Sequence, residues 1–150
     1  MKASLFRQFG DENVLEFEEV STPEVKPGHV LIKVLAAGVN RLEHYIREGT
    51  VLTDIPLPHV LGSDASGEVA AVGEGVMGFE IGERVIPMPG YPLDEADQDF
   101  TPMPAAPSYA IAGIFSWGSY AQYMSVPARW VVRNRTGLDP AVIATLPMVL

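Results

Sequence analysis

Apolar and polar positions along the chain change rhythm every eight to twelve residues, and long helical stripes are rare. Residues 2–9, KASLFRQF, and 14–20, VLEFEEV, predict two strands separated by the turn-prone GDEN of 10–13. The second alternates imperfectly: Val14, Glu16, Glu18 and Val20 share one face, opposite Leu15, Phe17 and Glu19. HVLIKVLAAGVN, 29–40, is β-branched and apolar, the clearest strand of the chain. RLEHYIREG breaks the rhythm, because Leu42, Tyr45 and Ile46 fall at helical spacing and Gly49 supplies a stop. SGEVAAVG, ERVIPMP, GSYAQYMSV and WVVRN read as further strands. Residues 89–116 carry five prolines and the acidic run DEADQD, and read as an irregular insertion. LDPAVIATLPMVL opens a helix, with Asp139 suited to the N-cap and Pro140 to the first turn. Short strands joined by glycine and proline turns predict a mainly β domain.

Composition narrows the class. The chain has 150 residues, 47% hydrophobic, enough for one domain with a core of its own. Its net charge of −9 argues against nucleic acid as a partner, since that affinity rests on neutralised phosphates. No apolar run approaches the ~20 residues of a membrane-spanning helix, and MKASLFRQFGDENV is not a secretory signal. A cytoplasmic protein without membrane contact is therefore expected. With no cysteine there is no disulfide, no thiolate nucleophile and no Cys-based zinc site. The apolar ending Pro147-Met148-Val149-Leu150 suggests the front part of a longer protein.

Gly73-Glu74-Gly75-Val76-Met77-Gly78 satisfies the G-x-G-x-x-G fingerprint of a dinucleotide-binding turn. That turn needs a helix opening at its last glycine, because the helix N-terminus receives the phosphates. Only Phe79, Glu80 and Ile81 separate Gly78 from Gly82, and ERVIPM resumes as strand. The expectation is a glycine-rich connection between two strands. Ser63 lacks the G-x-S-x-G frame of a hydrolase nucleophile. DEADQD lacks the glycine and distal glutamate of a calcium loop. His29 and His59, beside Gly28 and Pro58, read as surface or loop residues.

PHVLGSDASGEVAAVGEGVMGFEIGERV resembles the front-domain signature of the medium-chain dehydrogenase/reductase superfamily, P-x-x-x-G-x-(E/D)-x-x-G-x-V-x-x-V-G continuing to F-x-x-G-D-R-V. Pro58, Gly62, Asp64, Gly67, Val69, Val72, Gly73, Phe79, Gly82, Arg84 and Val85 match; Glu83 replaces the usual Asp. AAGVNRLEHYIREG and GSYAQYMSVPARWVV are similar to the flanking family segments, so the resemblance covers nearly the whole chain. It implies a GroES-like, partly open β-barrel with short helices, residues 1–150 forming the substrate domain. A Rossmann coenzyme domain would follow Leu150.

In the zinc alcohol dehydrogenases the resemblance aligns Asn40 with a Cys and Ser63 with a His that hold catalytic zinc. An amide and a hydroxyl are poor substitutes, so no metal is expected. GVN followed by YIREG is instead similar to the zinc-free quinone oxidoreductase branch. The resemblance then implies Asn40 and Tyr45 as catalytic residues, and Asn40, Arg41, Tyr45, Ser63 and Asp64 on the cofactor side, Arg41 towards a phosphate. The implied reaction is NADPH-dependent reduction of a quinone, enone or related small-molecule carbonyl compound, in a full-length protein that is a possible homo-oligomer. Asn40 also fits a residue ending a strand, and Tyr45 a core tyrosine. Two other functions stay open: an alcohol dehydrogenase with unusual metal ligands, and a non-enzymatic GroES-like binding module.

Overall fold

The computed structural model describes residues 1–149. Its centre is one antiparallel sheet built where the sequence is most β-branched. β3 (His29–Ala37) pairs on one side with β4 (Ala65–Val72) and on the other with β8 (Tyr123–Pro127). β4 continues to β5 (Arg84–Pro87) and β5 to β9 (Val131–Arg133), giving the order β8-β3-β4-β5-β9. Two register shifts in the β3–β4 pair, at Leu31/Ile32 and Val34/Ala36, bend the sheet around its core. Val30, Ile32, Ala65, Val69, Val85, Met124 and Val126 fill that core from both sides of the bend.

β1 (Lys2–Leu5) and β2 (Glu16–Glu19) form a separate ribbon, and Asp11 caps the 3₁₀ turn Glu12–Val14 between them by accepting from Asn13 N. The mixed face of β2 leaves Phe17 73% exposed. Bridges at Ala3–Ala121 and Phe6–His59 tie the ribbon to the rest of the domain. His59 therefore sits in the core at 1% exposure, Nε2 against the Gly113 carbonyl at 3.0 Å. The surface reading of His59 is corrected: the bridge needs an extended residue there, and its ring packs edge-on against Phe6. The insertion is not wholly irregular either. β6 (Gly90–Pro92) and β7 (Tyr109–Ile111) pair as a hairpin of three residues each, and the buried Tyr91 ring stacks on Trp130.

α1 (Arg41–Glu48) ends at Gly49, whose φ of 74° is the left-handed conformation that favours glycine. α2 (Pro140–Ile143) starts as expected, with Asp139 accepting from Ala141 N at 2.8 Å, but its helical turn closes far short of the chain end. That expected helix reaches Leu150, which lies outside the described residues. No described helix is long and apolar enough to cross a membrane.

The glycine fingerprint is a connection between β4 and β5 with no helix in it. Gly73 donates to the His29 carbonyl at 2.8 Å while Gly28 donates to the Glu74 carbonyl at 2.9 Å. A Cβ on Gly73 would stand 1.9 Å from the Lys26 carbonyl oxygen, so the two loops touch backbone to backbone. Gly75 and Gly78 turn the chain at φ of 80° and 87°. The fingerprint serves packing.

Candidate functional site

Three segments meet where β3 ends. Gly38 N donates to the Asp64 carbonyl at 3.1 Å, and a Cβ on Gly38 would lie 2.8 Å from Asp64 Cβ. That approach places the start of α1 beside residues 63 and 64. The Asn40 amide Nδ2 then donates to Asp64 Oδ2 at 2.9 Å and, at a longer 3.4 Å, to Ser63 Oγ. Asn40, Ser63 and Asp64, named from the sequence 23 and 24 residues apart, form one cluster.

A fourth member holds it together. Glu43 is 4% exposed and faces inward from the first turn of α1. Its Oε2 accepts from Asn40 N at 2.8 Å, and its Oε1 accepts from Ser63 N at 3.0 Å and Ser63 Oγ at 2.6 Å. Asn40 and Glu43 thus form a capping box in which the Glu43 half has full hydrogen-bond geometry. Sequence reasoning missed Glu43. The available signal was N-x-x-E at the helix start, a capping pattern that also points the glutamate back towards the N-terminus.

Arg41 and Tyr45 lie on the opposite, solvent side of α1, one turn apart. Arg41 is exposed and makes no ion pair among the described residues. Tyr45, 37% exposed, lies with its ring 5.5 Å from that of His44, and its hydroxyl has no hydrogen-bond partner among the described residues. The helix buries Glu43, Ile46 and Arg47 instead, rotating the apolar stripe read from the sequence. A core tyrosine is not what this face contains. Arg47 reaches the Gly10 carbonyl at 2.6 Å and His44 Nδ1 at 3.0 Å, which pins the β1–β2 turn to α1.

Electrostatically the cluster is crowded. Burial raises the Asp64 carboxyl above its ordinary 3.8; the Asn40 amide and the Met148 backbone pull it back, and the Glu43 charge adds to the rise. Asp64 Oδ1 is buried without a hydrogen bond of full geometry. Burial, then the charges of Glu43 and Asp64, push the neighbouring Tyr120 hydroxyl up as well.

A zinc ion does not fit this donor set. Both Glu43 oxygens are taken by protein donors, and Asn40 turns its N–H groups, not a lone pair, towards Asp64 and Ser63. No group of three or more His, Cys, Asp or Glu side chains is placed to hold a metal among the described residues. A cleft of about 860 Å³ lies elsewhere, between the 21–29 loop and the insertion, with Tyr91 and Trp117 in its wall. None of Asn40, Arg41, Tyr45, Ser63 or Asp64 lines it.

Residues 26–136 match the alcohol dehydrogenase GroES-like domain. The chain belongs to that family. The medium-chain dehydrogenase/reductase resemblance and the partly open β-barrel follow with it. An NADPH-dependent alkenal/one oxidoreductase (chloroplastic) of Arabidopsis thaliana is 31% identical over 152 residues, covering 100% of this chain and 35% of its own length. The quinone oxidoreductase of Rattus norvegicus is 43% identical over 86 residues, 57% of this chain and 26% of its own. The solved structure of a cobalt- and zinc-bound thermostable alcohol dehydrogenase from Pyrobaculum aerophilum superposes with a TM-score of 0.87 at 35% identity. It covers 98% of this chain and 44% of that one. This GroES-like chain therefore spans less than half the length of the relatives it matches.

Proposed function

We propose that this chain is the substrate domain of an NADPH-dependent oxidoreductase that reduces quinones, enones or related carbonyl compounds without zinc. A coenzyme domain following Leu150 completes the site. One observation carries the reading: the places a metal cage would fill hold the Asn40–Ser63–Asp64 cluster locked by Glu43, while Tyr45 stands half-exposed on the solvent side of the same helix. The alkenal/one and quinone oxidoreductase relatives support the substrate class.

NADPH, when bound, supplies the hydride to the β-carbon of the activated double bond. Negative charge then develops on the carbonyl oxygen, where a preorganised neutral donor in a dry cleft is worth several kcal/mol. Asn40 has committed its N–H groups to Asp64 and Ser63, so its part is to shape the wall. Tyr45 keeps an uncommitted O–H and takes the donor role. Arg41, one turn earlier on the same face, is free to meet a cofactor phosphate.

Tyr45→Phe, made in the protein carrying both domains, tests the assignment. Following NADPH oxidation with an enone and a quinone, kcat should fall about a hundredfold. Melting should stay unchanged, because the hydroxyl bonds nothing in the fold. Full activity of the variant defeats the assignment of Tyr45. Silence of the folded parent protein across the panel defeats the function.

A further inference from the structure

The strongest unassigned feature beyond these residues is the carboxylate behind them. A glutamate 4% exposed is costly to bury, and this one has no basic partner in any described ion pair. Three N–H and O–H donors converge on it instead, from Asn40 and from Ser63, 23 residues apart. A cap for α1 alone needs only the bond to Asn40 N. The other two bonds reach across to Ser63 and serve the junction between the helix and the loop.

We propose that Glu43 is a positioning residue: by tying the Asn40 backbone to Ser63 it holds the Asn40 amide in reach of Asp64 and turns the Ser63 hydroxyl inward, so that neither group offers a competing donor. The inference rests on the proposed function for its kinetic consequence and on geometry alone for the rest. Ser63 Oγ donates inward to Glu43 at 2.6 Å, which leaves only its lone pairs for Asn40 or a ligand. Releasing it would free the hydroxyl and the amide to turn and present donors of their own. They would then hydrogen-bond the carbonyl compound in geometries that misalign it with the hydride. Such misplacement by about an ångström costs on the order of a hundredfold in rate.

Glu43→Gln keeps the shape but swaps one acceptor for an NH₂ group, so one of the two segments meets donor against donor. Glu43→Asp keeps the charge but is one methylene too short to span both. Two readouts separate the possibilities. The first is the pair of Asn40 side-chain NH₂ resonances of this chain, with their hydrogen-exchange protection. The second is the kcat-against-KM split for NADPH in the protein carrying both domains. In both variants the Asn40 signals should shift and lose protection, and kcat should fall at least tenfold with KM for NADPH within about twofold. A role through charge alone predicts rescue by Glu43→Asp, and that rescue overturns the proposal. So do unmoved Asn40 signals in Glu43→Gln. If neither variant folds, Ser63→Ala removes the inward hydroxyl alone: exchange protection of the Asn40 amide should drop, and its persistence overturns the proposal. Should the parent protein reduce no enone or quinone, the resonance arm still decides what Glu43 positions.

Discussion

Replacing Gly73 with alanine separates packing from cofactor binding as the reason for the glycines of 73–78. The added Cβ would meet the Lys26 carbonyl oxygen at 1.9 Å and the Lys26 carbonyl carbon at 2.9 Å. Both are backbone, so relief requires moving the 26–29 loop. That motion strains the Gly73–His29 and Gly28–Glu74 hydrogen bonds, now 2.8 and 2.9 Å long. Overpacking of this kind costs about 1–3 kcal/mol, and each weakened hydrogen bond about 1 kcal/mol. Gly73→Ala should therefore destabilise the domain by roughly 3 kcal/mol, a fall in Tm of roughly 6–12 °C at this size. Gly75 is the control: nothing lies within 4 Å of its Cβ position, and its φ of 80° adds only backbone strain, about 1–2 kcal/mol. In a true dinucleotide turn the second glycine is the one that lets backbone approach the pyrophosphate. Thermal unfolding and an NADPH titration of the protein carrying the proposed coenzyme domain give the answer. Gly75→Ala should leave NADPH affinity within about twofold, while Gly73→Ala melts early. A stable Gly73→Ala beside a Gly75→Ala that binds NADPH tenfold more weakly would refute the packing argument.

Other consequences concern the buried polar groups. Arg47→Met keeps the side-chain bulk but orphans the Gly10 carbonyl, now 2.6 Å from the guanidinium. It should cost about 2–3 kcal/mol, and thermal unfolding indistinguishable from the parent would contradict the clamp. His59 gives a pH dependence. Burial lowers its pKa from the usual 6.5, against the opposing pull of the Gly113 and Pro56 carbonyls. The unfolded chain then takes up a proton at a pH where the folded one resists it. Stability is complete above pH 6.5 and declines as pH falls from there through the lowered folded value. His29, shifted the same way by burial and Lys26, adds to the decline. Urea unfolding at about pH 7.5 and pH 5.5 should show it, and His59→Gln should flatten the difference; an undiminished slope in that variant argues against His59 as its source.

Much of the fold was legible because β3 and α1 carry strong local signals: a β-branched run and a glycine stop. The glycine fingerprint could be set aside for a length reason, since no helix fits before the next strand. What stayed hidden was tertiary. β6 and β7 are three residues each, too short for any periodicity, and their prolines mask the pairing. His59 looked like a loop residue because its bridge partner, Phe6, lies more than 50 residues away from it in sequence. At the site, a family resemblance picked out Asn40, Ser63 and Asp64, which the fold brings together. Glu43 was passed over because a glutamate on a short helix reads as solvent-facing, and only contact with Ser63, 20 residues on, gives it a buried purpose. The alternative of a core Tyr45 failed for the same reason: Glu43 and Arg47 take the inward positions by hydrogen bonding, which hydrophobic spacing does not register.

The central claim is hydride reduction at a wall of amide, hydroxyl and carboxylate groups with no metal among them. Its most direct test is enone and quinone reduction by the protein carrying both domains, after exhaustive chelation and with its metal content measured on the same sample. The account predicts NADPH oxidation undiminished by the chelator and zinc far below one ion per chain. Stoichiometric zinc whose removal abolishes activity and whose return restores it would contradict it.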